Sequence, residues 1–207
     1  MGYTNSEVKG DYMTKRLQEQ LKFILEIDKE KNIFRQTHLS GNGRNENDAE
    51  HAWHMAVMAY LLKEYANNEI DIAKTMMMCL IHDIVEIYAG DTYAYDPESK
   101  KTQKEREEKA KEKIYSLLPE DQKKELIALF DEFEAQETPE SQFARAMDNI
   151  QPMLLNNANN GIDWKNHNVK AEQVYARQTG TKKGSDTLYE LADSIIQENI
   201  RKGNLGK

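Results

Sequence analysis

The residues best suited to chemistry in this chain are imidazoles and carboxylates set into apolar surroundings. Residues 81–91 read IHDIVEIYAGD, with His82 next to Asp83, Glu86 within one helical turn of both, and Asp91 after a helix-ending Gly90. The preceding run at 70–81, IDIAKTMMMCLI, is apolar on nearly every face after its first turn. A helix hydrophobic all round belongs inside a domain. An ionised carboxylate buried there is costly unless something positive meets it. A bound cation is such a partner, so this helix is expected to form one wall of a metal site.

Further ligand-capable residues recur on other apolar stretches: His51 and His54 in AEHAWH, and Asp148 in FARAMDNIQP. Imidazole nitrogen and carboxylate oxygen suit Mn, Fe, Co or Zn, with Mg favoured as the carboxylate share rises. Helical spacing puts Glu86 four residues from His82 and three from Asp83, so all three can face one cavity. His82 and Asp83 diverge by roughly 100° on a helix, so one ion is shared only if it lies between their directions.

The elements that must position these groups read as helices nearly throughout. Residues about 14–30 place Leu17, Leu21, Ile24, Leu25 and Ile27 on one side at helical spacing. SGNG at 40–43 carries turn chemistry. Asn47 or Asp48 is a suitable cap for a second helix running through EHAWHMAVMAYLLKEYA. Asp71 can cap the central helix and Gly90 close it. The charge-rich segment SKKTQKEREEKAKEKIYSLL reads as a surface helix with i,i+4 ion pairs. Pro119 begins another helix. Thr138-Pro139-Glu140 starts the one carrying Asp148, which Pro152 is expected to kink or shorten. NNANNG then reads as a loop, and a last helix runs from about Ser185 to Ile200. No strand pattern is convincing, so the expected fold class is all-α, one helical domain over 1–207 with the metal site in its core.

Composition narrows the function. With 36 acidic and 28 basic residues, the formal net charge of −8 argues against nucleic acid as the main partner, since phosphate backbones need clustered Lys and Arg. The single Cys79 excludes an intramolecular disulfide and a Cys-based zinc site; within its apolar run it reads as a packed, inert thiol. No segment reaches the ~18 apolar residues of a membrane helix, and the N-terminus lacks a signal-peptide layout. The expected setting is cytoplasmic.

AEHAWH, IHDIVEIYAGD and FARAMDNIQP together resemble the HD-domain metal-dependent phosphohydrolases, in the branch containing the 5′-deoxynucleotidases, over about residues 15–200. RQTHLSGNGRNENDAEH and EREEKAKEKIYSLLPEDQ extend the resemblance. It implies that the metal ligands are His51, His82, Asp83 and Asp148, with His54 outside the set as a supporting or packing residue. It further implies that Glu86 and Asp91 position or activate the attacking water, or hold a second cation with help from the Thr92 backbone. Arg35 matches an arginine that holds the substrate phosphate, and Arg44 a second one that holds phosphate or braces its loop. There is one departure: bacterial members carry Trp directly after that first arginine, where this chain has Gln36. That puts preference for deoxyribose over ribose in question. His38 and His167 fall outside the pattern and read as surface residues.

The activity so implied is hydrolysis of (deoxy)nucleoside 5′-monophosphates to nucleoside and phosphate, by a homodimer using a divalent cation. A bound ion would lower the pKa of water and offset charge on a phosphoryl oxygen. Two other readings share the ligand set: an HD-type phosphodiesterase or nucleoside triphosphate hydrolase, and a non-catalytic helical metal-binding scaffold. Free-phosphate assays separate these from the first.

Overall fold

Helices begin where short polar side chains can accept the orphan amides of a first turn. The structure, a computed structural model, describes residues 14–90, 94–95 and 97–206. Thr14 caps α1 (Lys15–Ile27), which runs into a tight turn at Asp28–Asn32. Asn47, one of the two candidate caps, starts α2 (Asp48–Leu62) in a reciprocal capping box with Glu50. Asp71 accepts from the amides of Ala73 and Lys74 at the head of α3 (Ile72–Ile81).

The expected central helix is not continuous. It breaks at 82–85, where amides bond three residues back (Glu86 N to Asp83 O, 2.8 Å) instead of four, and resumes as α4 (Glu86–Ala89). Gly90 ends it with φ of 77°, as its lack of a side chain permits. Nor is α3 buried on every side: Thr75, Met78, Cys79 and Ile81 are buried, while Met77 and Leu80 are exposed. Its neighbours α2, α6 and α7 cover only part of its circumference.

Beyond lie α5 (Pro97–Tyr115), α6 (Glu120–Ala135) and α7 (Pro139–Ala158). Thr138 and Pro139 start α7 as their types predict. Pro152 does not shorten it; α7 continues six residues past the proline. Then come α8 (Ile162–Asn166), α9 (Ala171–Gly184) and α10 (Asp186–Arg201), the last capped by Ser185. The two helices between 162 and 184 lie outside the helices expected from sequence. In α9 the buried positions are Ala171, Val174, Gln178, Thr181 and Gly184, which keep helical spacing but, Val174 apart, carry small or polar side chains. A reading keyed to apolar periodicity passes over them. They serve close approach: a Cβ on Gly184 would lie 2.3 Å from the Gln142 carbonyl of α7.

The helical reading also omits a two-stranded antiparallel ribbon, β1 (Phe34–His38) with β2 (Asn45–Asn47). Gly41 and Asn42 make its turn at positive φ, inside the SGNG segment read as a turn. The strands are too short and polar to alternate visibly.

Two apolar clusters form the core. The larger, including Met55, Met78, Phe143, Met147, Ile150 and Ile196, joins α2, α3, α7, α9 and α10. The smaller gathers Phe23, Ile81, Ile84, Val85, Ile114, Tyr115 and Phe130. The break at 82–85 lies where they meet. On α1 the buried residue is Phe23, stacked with Tyr115. The expected stripe of Leu17, Leu21, Ile24 and Leu25 is left exposed. Cys79 is buried and its thiol is pushed up to about 12 by burial, which makes it inert.

Candidate metal centre

Three segments deliver the candidate ligands. His51 lies in the first turn of α2, His82 and Asp83 at the break after α3, and Asp148 in the middle of α7. His82 Nε2 is 3.0 Å from Asp83 Oδ2 and 3.9 Å from Asp148 Oδ1. His51 Nε2 is 3.3 Å from Asp148 Oδ1 and 4.0 Å from Asp83 Oδ2. Atoms that share an ion at ~2.1 Å stand at most ~4.2 Å apart, and all four separations satisfy that bound. His51, His82 and Asp83 form the tightest set, with one ligand atom from each within 4.8 Å of the others. Neighbouring His82 and Asp83 thus both reach one point.

Both imidazoles are oriented by their far nitrogens. His82 Nδ1–H donates to the Cys79 carbonyl at 2.9 Å. His51 Nδ1–H donates to Gln151 Oε1 at 2.8 Å, because the Gln151 amide nitrogen donates to Glu46 at 2.7 Å. Each Nε2 therefore faces the carboxylates, the placement a shared cation requires. His54 contacts the same Gln151 at 3.1 Å, in keeping with a supporting place outside the ligand set.

The electrostatics fit a cation as well. Among the described residues, Glu30, Glu46, Asp48, Asp83, Glu86 and Asp148 are buried in this region, against three guanidiniums: Arg35, Arg145 and Arg177. Burial pushes Glu30 and Glu46 up to about 7. Burial also lowers His51 to about 4, keeping it neutral. It opposes charge on His82 too, but the Asp83 and Asp148 carboxylates outweigh it and raise that group. Against the penalty of burial, His82 and Arg35 hold Asp83 well below the usual carboxylate range. Arg177, His51 and Arg145 do the same for Asp148. Surplus buried negative charge beside two oriented imidazoles is what a divalent ion would offset.

An open cavity adjoins the centre, lined by Arg35, Gln36, Thr37, Asp83, Glu86, Tyr95, Arg145, Asp148, Met153, Asn156, Trp164 and Arg177, among others. Glu86 is at its wall, as its spacing predicts. Asp91 and Thr92 lie outside the described residues. Arg35 reaches the cavity but is already engaged, with Nη1 at 2.7 Å from Asp83 Oδ2 and 3.2 Å from Asp48 Oδ1. Arg44 does not line it. Its guanidinium pairs with Glu50 and the Asn45 carbonyl (2.8 Å) on the exposed side of the ribbon, contacts of the kind a loop brace makes. His38 departs from the surface reading: its ring and backbone amide both bind buried Asp163, the amide at 3.0 Å. His167 is exposed.

Several residues of the site escape the sequence reading. Asp48 enters it only as a cap. Glu46, Arg145, Gln151 and Arg177 do not enter it, although Arg145 and Gln151 stand three residues either side of Asp148 on α7 and so share its face. Arg177 gives no such signal, since α9 itself is not legible from apolar periodicity.

The fold recurs in a known structure, and the sequence in known proteins. The crystal structure of a "predicted metal-dependent phosphohydrolase" from Magnetospirillum magnetotacticum MS-1 superposes with a TM-score of 0.90 at 44% identity, covering 95% of this chain and 99% of that one. The 5′-deoxynucleotidase HDDC2 of Homo sapiens is 34% identical over 111 residues, 54% of this chain and 53% of the human protein. Its Mus musculus counterpart is 30% identical over 135 residues, 65% of each chain. The matches thus span about half to two thirds of those curated relatives. An HD domain model matches residues 27–189, which contain His51, His82, Asp83 and Asp148, and the chain belongs to the HD-domain family.

Proposed function

We propose that this protein is a divalent-metal-dependent phosphohydrolase that releases phosphate from nucleoside 5′-monophosphates, deoxy forms in particular. The observation that carries the reading is the convergence of His51, His82, Asp83 and Asp148 at separations of 3.0–4.0 Å, with Asp83 and Asp148 lining a cavity rich in cationic and polar side chains. The names of the curated relatives support the substrate class. When bound, the cation supplies a water nucleophile near neutral pH and charge neutralisation for phosphate.

The chain's own residues do the rest. His51, His82, Asp83 and Asp148 hold the ion, with Gln151 and the Cys79 carbonyl fixing the imidazoles. Glu86, buried at the cavity wall, is placed to accept the proton of the attacking water. By the family resemblance Asp91 shares the handling of the attacking water or leaving sugar oxygen with Glu86, or the two hold a second cation with the Thr92 backbone. Glu86→Gln and Asp91→Asn kinetics decide which of the two takes which part. Arg35 neutralises Asp83 and offers its remaining donors to substrate. Mn, Co or Mg is the proposed ion, with Fe and Zn as alternatives.

We propose further a single-domain, cytoplasmic protein that acts as a homodimer without nucleic-acid partners. Among the described residues no helix is long and apolar enough to cross a membrane. Among the exposed apolar side chains that a second copy could cover are Leu17, Leu21, Ile24 and Leu25 of α1 and Trp53, Tyr60 and Leu61 of α2. Light scattering on the eluted protein reads the assembly.

The activity test is free-phosphate release from ribo- and deoxyribonucleoside monophosphates, a cyclic diester and a triphosphate, each with Mn, Co or Mg. Turnover of a monophosphate that EDTA and Asp83→Ala abolish is the expected result. Release from the diester or triphosphate alone would move the reaction class. Stoichiometric metal with no release from any nucleotide would reject an enzyme.

A further inference from the structure

Arg145 and Arg177 reach the centre from α7 and α9 and clasp Asp148 from two sides. Arg145 Nη1 is 2.9 Å from Oδ2, and Arg177 Nη2 is 3.2 Å from Oδ1. Arg145 has a second carboxylate in Glu134, at 2.7 Å. For Arg177, Asp148 is the carboxylate partner among the described residues.

A backbone contact holds Arg177 as well. Pro152 has no N–H, so the Asp148 carbonyl four residues earlier has no helical donor. Arg177 Nη2 lies 3.4 Å from that oxygen. This anchor stays when the Asp148 carboxylate turns to another partner.

Each of these guanidiniums, like that of Arg35, also carries a buried Nε–H with no acceptor, so that part of its hydrogen-bonding capacity is unused. Both line the cavity beside the metal centre. Both also line a second opening on the other side of Asp148, walled by Gln136, Asn149, Thr179 and Gly180. Among the described residues, Arg35 and Arg145 each pair with two carboxylates, where Arg177 pairs with one.

We infer that Arg177, assisted by Arg145, is a further site for a phosphate dianion beside Arg35, whether the phosphoryl end of a substrate or released inorganic phosphate. The inference rests on the phosphohydrolase reading in one respect: with Asp148 engaged by an ion, Arg177 keeps its charge and loses its carboxylate. A planar guanidinium fork matches two phosphate oxygens at once.

The test is calorimetric titration of the metal-loaded protein with inorganic phosphate, with metal content measured in parallel. Arg177→Gln is expected to weaken binding at least tenfold at unchanged metal content. Arg177→Lys, which keeps charge without the fork, should fall between and decides the matter if Arg177→Gln does not fold. Wild-type affinity in both variants, no phosphate binding by the wild type, or loss of metal from Arg177→Gln would overturn the assignment. Nucleotide turnover by the wild type reports separately. Phosphate held through Arg177 without turnover upholds this site and rejects the enzyme reading; turnover with phosphate binding indifferent to Arg177 does the reverse.

Discussion

Arg35→Met would remove one cation from between two buried carboxylates and keep most of the aliphatic stem. In the structure Arg35 stands 2.7 Å from Asp83 and 3.2 Å from Asp48, with the Asp48 side chain fully buried and Arg35 only 13% exposed. Breaking a buried pair by deleting one partner costs about 3–5 kcal/mol, because the remaining charge loses its compensation. In a protein of this size each kcal/mol moves the melting temperature by roughly 2–4 °C. The metal-free variant should therefore melt about 6–20 °C below the wild type. Saturating Mn should recover part of the loss, since it offers Asp83 a new positive partner but does not restore the ion pair with Asp48. Thermal denaturation followed by circular dichroism, in EDTA and in excess Mn, reads both quantities. A metal-free variant melting within about 2 °C of the wild type would refute the argument that Arg35 neutralises these acids, as would an identical deficit with and without metal.

Other expectations follow from the same geometry. Gln151→Leu removes the acceptor that orients His51 and should weaken metal binding by about 10–100-fold; chelator competition giving wild-type affinity would count against that role. Gly184→Ala forces a Cβ to within 2.3 Å of the Gln142 carbonyl and should cost roughly 1–3 kcal/mol by separating α7 from α9, visible as a lower urea midpoint. Glu30 is buried, with its carboxyl pushed up to about 7 mainly by burial and further by Asp83. Its folded form thus holds a proton more tightly than the unfolded chain, so its contribution is fully present below pH ~4.5 and fades as pH rises through 7, by about 3 kcal/mol in all. Glu30→Gln should accordingly raise the melting temperature of the metal-free protein at pH 8 and leave it little changed at pH 5. An equal difference at the two pH values would show that the penalty is not one of ionisation.

The sequence by itself determined the donor types and most helix starts. Thr14, Asn47, Asp71 and Thr138 each accept the first-turn amides their side chains are built to accept. Gly90 and the 40–43 turn take the positive φ their residues permit. These choices are made within three or four residues, so composition and spacing record them. The same locality explains what sequence reasoning misses. A helix drawn straight through His82 and Asp83 cannot show the break at 82–85. Helix α9 stays hidden because its buried face is made mostly of Ala, Gln, Thr and Gly, whose value lies in how closely α7 can approach.

Only the tertiary structure decided which charges meet. Arg35 finds Asp83 across 48 residues of chain, Gln151 finds His51 across 100, and Arg177 finds Asp148 from a helix of its own. Arginines that look alike in sequence parted accordingly: Arg44 to an exposed loop, Arg35 to a buried acid pair, Arg145 and Arg177 to the cavity. Local hydrogen bonding fixes where an element starts and stops. The partner of a buried charge is fixed by which elements pack together, and that is settled by the summed burial of side chains far apart along the chain.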